Sequence, residues 1–208
     1  MIDGINYARL HISLVRRELP LDTREWAINL VGVRAGDGSA RERDANTFND
    51  TLCAIWHQRG SRNLVTVACT TDPGSYWRRH PMNPRGTARL LPGHHRRLWR
   101  LGRHRDRYEA LVQHSPCWVS RDDDCDDALD GAGRDYGVFG INCHRAADSY
   151  DVPATVDRWS AGCQVIPDSG DYHLLMALCR QHARRHGNAF DYTLIEESDL
   201  WTPSPSPP

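Results

Sequence analysis

The sequence predicts a β-rich α+β domain with one well-defined helix near its C-terminus. Short apolar, β-branched runs recur between clusters of Gly, Pro and Asp, as strands separated by turns do. One late segment carries an apolar stripe at helical spacing with a cap residue at each end. The chain has 208 residues, enough to bury a core without disulfides, and the sequence contains no internal repeat.

Taken in order, residues 5–19 alternate at Leu10, Ile12 and Leu14 but also place Leu10, Leu14 and Val15 on one helix face. The arginines, Glu18 and the stop at Pro20 favour a short helix. Residues 27–34 (AINLVGVR) read as a strand, and Gly36 to Ser39 as a loop. Residues 51–57 and 64–70 are two more strands around a hairpin-like turn at Gln58-Arg59-Gly60-Ser61. Breakers then crowd the chain from Asp72-Pro73-Gly74 to Pro92-Gly93, leaving room for an extended piece at 87–91. Residues 107–113 and 117–120 look like a strand pair around Ser115-Pro116. Residues 137–144 are strand-like. Residues 168–186 form the helix, capped by Asp168 or Ser169, striped by Leu174, Leu175 and Leu178, and stopped at Gly187. Residues 192–195 are a last strand, and 201–208 (WTPSPSPP) an extended Pro/Ser tail.

The formal net charge is -1, which gives no reason to expect a polyanion partner. Charge is nonetheless segregated. Ten arginines and a single acid, Asp106, lie between Arg78 and Arg107, and seven aspartates between Asp122 and Asp135. The arginine-rich segment, with Trp77, Trp99 and Tyr108 nearby, has the residue types of a nucleic-acid surface. No nucleic-acid motif accompanies it, so nucleic acid is not expected as a partner. Arginines also suit carboxylate-rich ligands, and the simplest reading is a solvated face paired with the acidic loop. In that loop Asp122, Asp124, Asp126 and Asp130 fall at positions 1, 3, 5 and 9 of a calcium-loop pattern. Asp127 stands where glycine is needed and Gly133 where the closing glutamate should be. The loop therefore reads as a solvated turn, and neither a metal nor a cofactor is assigned from the sequence.

The seven cysteines leave at least one thiol unpaired, and none has the spacing of a zinc ribbon or thioredoxin motif. No signal-peptide pattern opens the chain and no run approaches a membrane span. The expectation is synthesis in the cytoplasm, with any action outside it requiring a separate delivery route.

The chemistry concentrates between Gly137 and Ile166. Alternation along 137–144 places Val138, Gly140, Asn142 and His144 on one face, with Phe139, Ile141 and Cys143 packing on the other. A spacer of fifteen residues separates His144 from Ser160-Ala161-Gly162-Cys163. Small residues before Cys163 let the backbone turn sharply and approach a substrate. A nucleophilic cysteine needs a base, here His144, and backbone N–H groups for the oxyanion, here those of Gly162 and Cys163. Ser160, through its hydroxyl or carbonyl, is the candidate to orient the imidazole. Asn142, Arg145, Trp159 and Tyr76 are candidate substrate-binding side chains.

This pattern resembles the L,D-transpeptidase catalytic domain of peptidoglycan-modifying enzymes. A histidine, a spacer of this length and Ser/Thr-His-Gly-Cys form that family's signature. His144, Ser160, Gly162 and Cys163 fall on it, Ala161 replaces the second histidine, and Val165 stands where an arginine is common. Residues 71–77 and 81–88 are similar to a phage-associated or toxin-like branch. The resemblance implies a β-rich transpeptidase-like sandwich or barrel over residues 61–200, with 1–60 as the N-terminal part of the same domain. It implies Cys163 attack on a peptidoglycan stem tetrapeptide, a thioester intermediate, and transfer to an amine (transpeptidation) or to water (L,D-carboxypeptidase). It implies action at the periplasm or cell wall, and an immunity protein as partner if the chain is a toxin. The alternatives are a wall-damaging Cys hydrolase, such as a phage lysis protein or secreted antibacterial effector, and a non-enzymatic phage or surface module with a structural Cys163.

Overall fold

The computed structural model describes residues 1–36, 46–122, 124–131, 133–149 and 151–201. The fold is mixed α/β and mostly β. In chain order it comprises α1 (Tyr7–Arg16), β1 (Asn29–Arg34), β2 (Asp50–Gln58), β3 (Ser61–Cys69), α2 (Ser75–Arg79), β4 (Thr87–Leu90), β5 (Gly93–His104), β6 (Tyr108–Gln113), β7 (Cys117–Asp122), β8 (Gly133–Gly137), β9 (Cys143–Arg145), β10 (Gln164–Ile166), α3 (Ser169–His186), β11 (Phe190–Glu196) and α4 (Ser198–Trp201).

Eight strands form one sheet in the order β10-β9-β6-β5-β11-β1-β2-β3. Its two ends meet, because Thr70, just past β3, exchanges backbone hydrogen bonds of 2.9 and 3.0 Å with Val165 of β10. The sheet is thereby a nearly closed barrel, which leaves few unpaired edge groups. A second sheet, β4-β7-β8, lies apart. The predicted pairing of 107–113 with 117–120 is corrected here: β6 and β7 belong to different sheets. Ser115-Pro116 is a crossing between sheets, not a hairpin.

The apolar runs of β1 and β2 are continuous because both faces are buried. Leu30, Leu52 and Ala54 join the main core, with Trp99, Phe190, Tyr192 and the α3 side chains Tyr172, Leu175, Met176 and Cys179. Val31, Val33, Cys53 and Ile55 face the other way and are covered by Leu10 and Leu14 of α1. Burying each of these large side chains stabilises the fold by roughly 1.5–3 kcal/mol. Asn6 caps α1 by accepting from the Arg9 N–H, and Asp168 caps α3 by accepting from Asp171. Gly187 ends α3 at φ 92°. Leu174, placed in the apolar stripe by the sequence, is exposed; Tyr172, Met176 and His182 take the inner face with Leu175 and Cys179. The β2–β3 hairpin turns on Arg59 and Gly60, both at positive φ, as a right-twisted two-residue turn requires. Within the N-terminal sixty residues β1 and β2 sit inside the same sheet as β9 and β10. Trp201, expected in the Pro/Ser tail, instead closes α4; the rest of that tail, and all of the 36–39 loop but Gly36, lie outside the described residues.

Candidate active site

β9 and β10 place the segments that carry the two reactive residues side by side. They pair in parallel, with Gln164 opposite Cys143 and Val165 opposite His144, so Cys163 enters β10 beside the strand that carries His144. The predicted long strand over 137–144 is interrupted: β8 stops at Gly137, Gly140 takes φ 80°, and only Cys143–Arg145 is extended and paired. His144 is consequently buried, at 4% exposure, with one edge open to a cavity.

The Cys163 turn is built by Ser160 and Gly162. Ser160 is fully buried; its hydroxyl donates to the Cys163 carbonyl at 2.8 Å and accepts from the Gly162 N–H at 3.1 Å. Its carbonyl accepts from Gly74 at 2.9 Å. Ser160 thus braces the loop and does not orient His144, and the Gly162 N–H is already committed and not directed at a substrate oxyanion. Gly162 has its own necessity. Its φ is 119°, and a Cβ there would stand 2.3 Å from the Ala88 carbonyl oxygen.

The imidazole is oriented by its own strand. His144 Nδ1 lies 2.8 Å from the Arg145 carbonyl and 3.3 Å from the Tyr108 hydroxyl, which itself donates to the Arg145 carbonyl at 3.1 Å. A carbonyl only accepts, so Nδ1 carries the proton and Nε2 is left as the basic nitrogen. The His104 ring stacks on His144 at 4.0 Å. Burial, and then the charge of His104, depress the His144 pKa to about 3; burial and Arg105 also lower that of His104. Both rings are therefore neutral near neutral pH.

Cys163 is half-buried, and its thiol donates to the Gly140 carbonyl at 3.3 Å. Burial raises its pKa, opposed by the Asn142 N–H and the charge of Arg105. The resting pair is thus a neutral thiol and a neutral base, not a preformed thiolate–imidazolium pair. Cys53, Cys69, Cys117, Cys143 and Cys179 are buried, and Cys125 is exposed.

A cavity of about 260 Å³ opens beside His144, lined by His104, Arg105, Arg107, Tyr108, Arg145, Arg158 and Trp159 among others. Arg145 is partly spent, stacking on Tyr108 and pairing with Asp148 at 2.6 Å. Arg158 stacks on Tyr76 at 3.8 Å. Among the described residues the side chains of Arg105 and Arg107 form no ion pair. A second cavity, about 530 Å³, continues past Trp159 to Tyr76 and Arg79. A third, about 320 Å³, is walled by Ala161, Thr87, Arg121 and Phe139. The described walls of these cavities do not include the Cys163 side chain.

Of the four predicted binding side chains, Arg145, Trp159 and Tyr76 wall these cavities. Asn142 does not: its amide accepts from the Gln113 N–H at 2.8 Å and meets His104 at 3.2 Å. It holds the β9 approach in place. Sequence reasoning missed His104, Tyr108 and Arg105 as neighbours of His144. They flank one turn, where Arg105 and Asp106 both take positive φ. The arginine segment itself divides, since Arg78 and Arg79 pair with Asp127, Arg85 with Asp135 and Arg89 with Asp72. Trp99 is fully buried, so it offers no stacking surface to a base. Among the described residues no helix is long and apolar enough to cross a membrane. Comparisons of the chain with protein-family models, with curated proteins and with solved structures found no match.

Proposed function

We propose that this protein is a cysteine acyltransferase of the L,D-transpeptidase type, acting on peptidoglycan stem peptides. The observation that carries the reading is the parallel β9–β10 pair, in which His144 lies opposite Val165, two residues past Cys163, and borders an arginine-walled cavity. A β-rich, nearly closed barrel is consistent with the fold that the resemblance implies.

The neutral resting pair favours general-base activation. As Cys163 attacks the carbonyl preceding the terminal D-residue, its proton leaves the Gly140 carbonyl and passes to Nε2 of His144. Arg145 and Tyr108 hold the ring while it is charged. The Cys163 N–H is the backbone donor left for the oxyanion, because that of Gly162 is committed to Ser160. His144 then protonates the departing amine, and the acyl group remains on Cys163 as a thioester. An incoming amine gives a crosslink and water gives carboxypeptidase activity. Val165, at the position where the family commonly has arginine, is fully buried in β10, so recognition of substrate carboxylates falls to Arg105, Arg107 and Arg158.

Digests of purified muropeptides read by mass spectrometry test this. Tetrapeptides should lose their terminal D-residue with the intact protein and stay whole with Cys163→Ala. Cleavage of a different bond would assign the protein to the wall-damaging hydrolases instead. Unchanged muropeptides together with an inert Cys163 would favour the non-enzymatic module.

A further inference from the structure

The loop joining β7 to β8 separates its aspartates into two sets. Asp127 turns outward at φ 75°, where its carboxylate accepts from the Ser75 hydroxyl and pairs with Arg78 at 3.0 Å and Arg79 at 2.6 Å. Asp122, Asp124, Asp126 and Asp130 converge, with one carboxylate oxygen from each lying within 4.8 Å of the others. Asp122 is the distinctive member. It ends β7 at 4% exposure, and neither of its carboxylate oxygens has a hydrogen-bond partner among the described residues. The other three are exposed.

A buried carboxylate with no donor is costly, and three further carboxylates around it add repulsion. The opposing charge that acts on it, Arg78 of α2, already pairs with Asp127. A shared cation would satisfy all four groups at once. Only oxygen donors are present, which selects hard ions over zinc or copper. Two ligands of one calcium ion stand at most about 5 Å apart, twice its bond length, against about 4 Å for magnesium. Separations within 4.8 Å fit the calcium span, and the calcium-loop spacing of the four aspartates points to that ion. One departure from the calcium-loop pattern also acquires an explanation. Asp127 supplies the positive φ that glycine would give at the sixth position, and a buried Asp122 at the first position provides an anchor that the sequence alone did not reveal.

We propose that Asp122, Asp124, Asp126 and Asp130 form a calcium-class divalent cation site, with Asp122 as the buried anchoring ligand. Through Asp127 the filled loop would brace α2, and with it the Tyr76 and Arg79 wall of the larger cavity. The role is structural, and the test needs no activity readout.

Titration calorimetry and thermal unfolding of the full chain at neutral pH, with calcium chloride, magnesium chloride or EDTA, read the site directly. One calcium per chain should bind with a dissociation constant below about 1 mM, magnesium should bind at least about tenfold more weakly, and calcium should raise the melting temperature. Asp122→Asn and the exposed Asp124→Asn should each weaken calcium binding at least about tenfold. In EDTA, Asp122→Asn should melt no lower than the parent, because it removes uncompensated buried charge. Absence of saturable calcium binding up to about 10 mM, or unchanged binding by both variants, overturns the site. So does an Asp122→Asn protein that melts lower in EDTA, since that carboxylate would then be serving the fold without an ion.

Discussion

Replacing Gly162 by alanine probes the turn that delivers Cys163. Its φ of 119° lies in a region that L-residues rarely adopt, and the new Cβ would sit 2.3 Å from the Ala88 carbonyl oxygen in β4. The backbone strain alone is about 1–3 kcal/mol. Restoring ordinary contact requires moving the 160–163 turn or β4 by about an ångström, which adds roughly 1–3 kcal/mol of packing loss. The sum is about 2–6 kcal/mol. Gly60→Ala is the control: it too has positive φ, at 78°, but nothing lies within 4 Å of its Cβ, so about 1–2 kcal/mol is expected. Urea unfolding followed by circular dichroism compares the two variants. Equal losses would mean that the close approach to Ala88 contributes nothing.

Three further outcomes follow from the electrostatics. Iodoacetamide labelling of Cys163, in a Cys125→Ser background that removes the other accessible thiol, should accelerate as pH rises through the thiol range. It should show no shoulder between about pH 5 and 7; a shoulder would reveal an ion pair that the neutral imidazole excludes. His144 is held neutral, so in the folded state it binds fewer protons than in the unfolded state between its folded value of about 3 and its unfolded value of about 6.5. Its stabilising contribution is complete above the upper value and is lost as pH falls. His144→Gln should flatten the acid limb of the stability curve by up to about 3 kcal/mol between pH 7 and 4, and an unchanged limb in chemical denaturation would contradict this. Asp72 is buried between Arg34, at 3.1 Å, and Arg89, at 2.7 Å. Asp72→Asn should cost about 3–5 kcal/mol by leaving the Arg34 charge buried without its partner, and a loss below about 1 kcal/mol would mean that Thr71, Leu90 and Glu196 suffice.

Much of the scaffold was legible because its signals are local. β1, β2 and β3 show as apolar, β-branched runs, and α3 announces both ends through Asp168 and Gly187. What was hidden depends on distant partners. β5 reads as a string of histidines and arginines because one face of that strand points outward, while Leu98 and Trp99 are fully buried. Barrel closure depends on Thr70 meeting Val165, and no periodicity encodes that. At the site, the residue types of His144, Gly162 and Cys163 were readable from their spacing. Their roles were less so, because Ser160 and Gly162 are bonded to each other, and the orienting groups, Arg145 and Tyr108, come from backbone geometry and a neighbouring strand.

If Cys163 takes an acyl group from a stem peptide with His144 as base, intact-protein mass spectrometry after brief mixing with a tetrapeptide muropeptide captures the acyl-enzyme. The expected result is a mass increase equal to the stem peptide lacking its terminal D-residue, located on Cys163, absent from Cys163→Ala and strongly reduced in His144→Gln. An unmodified Cys163 in a protein that still processes the muropeptide would contradict it.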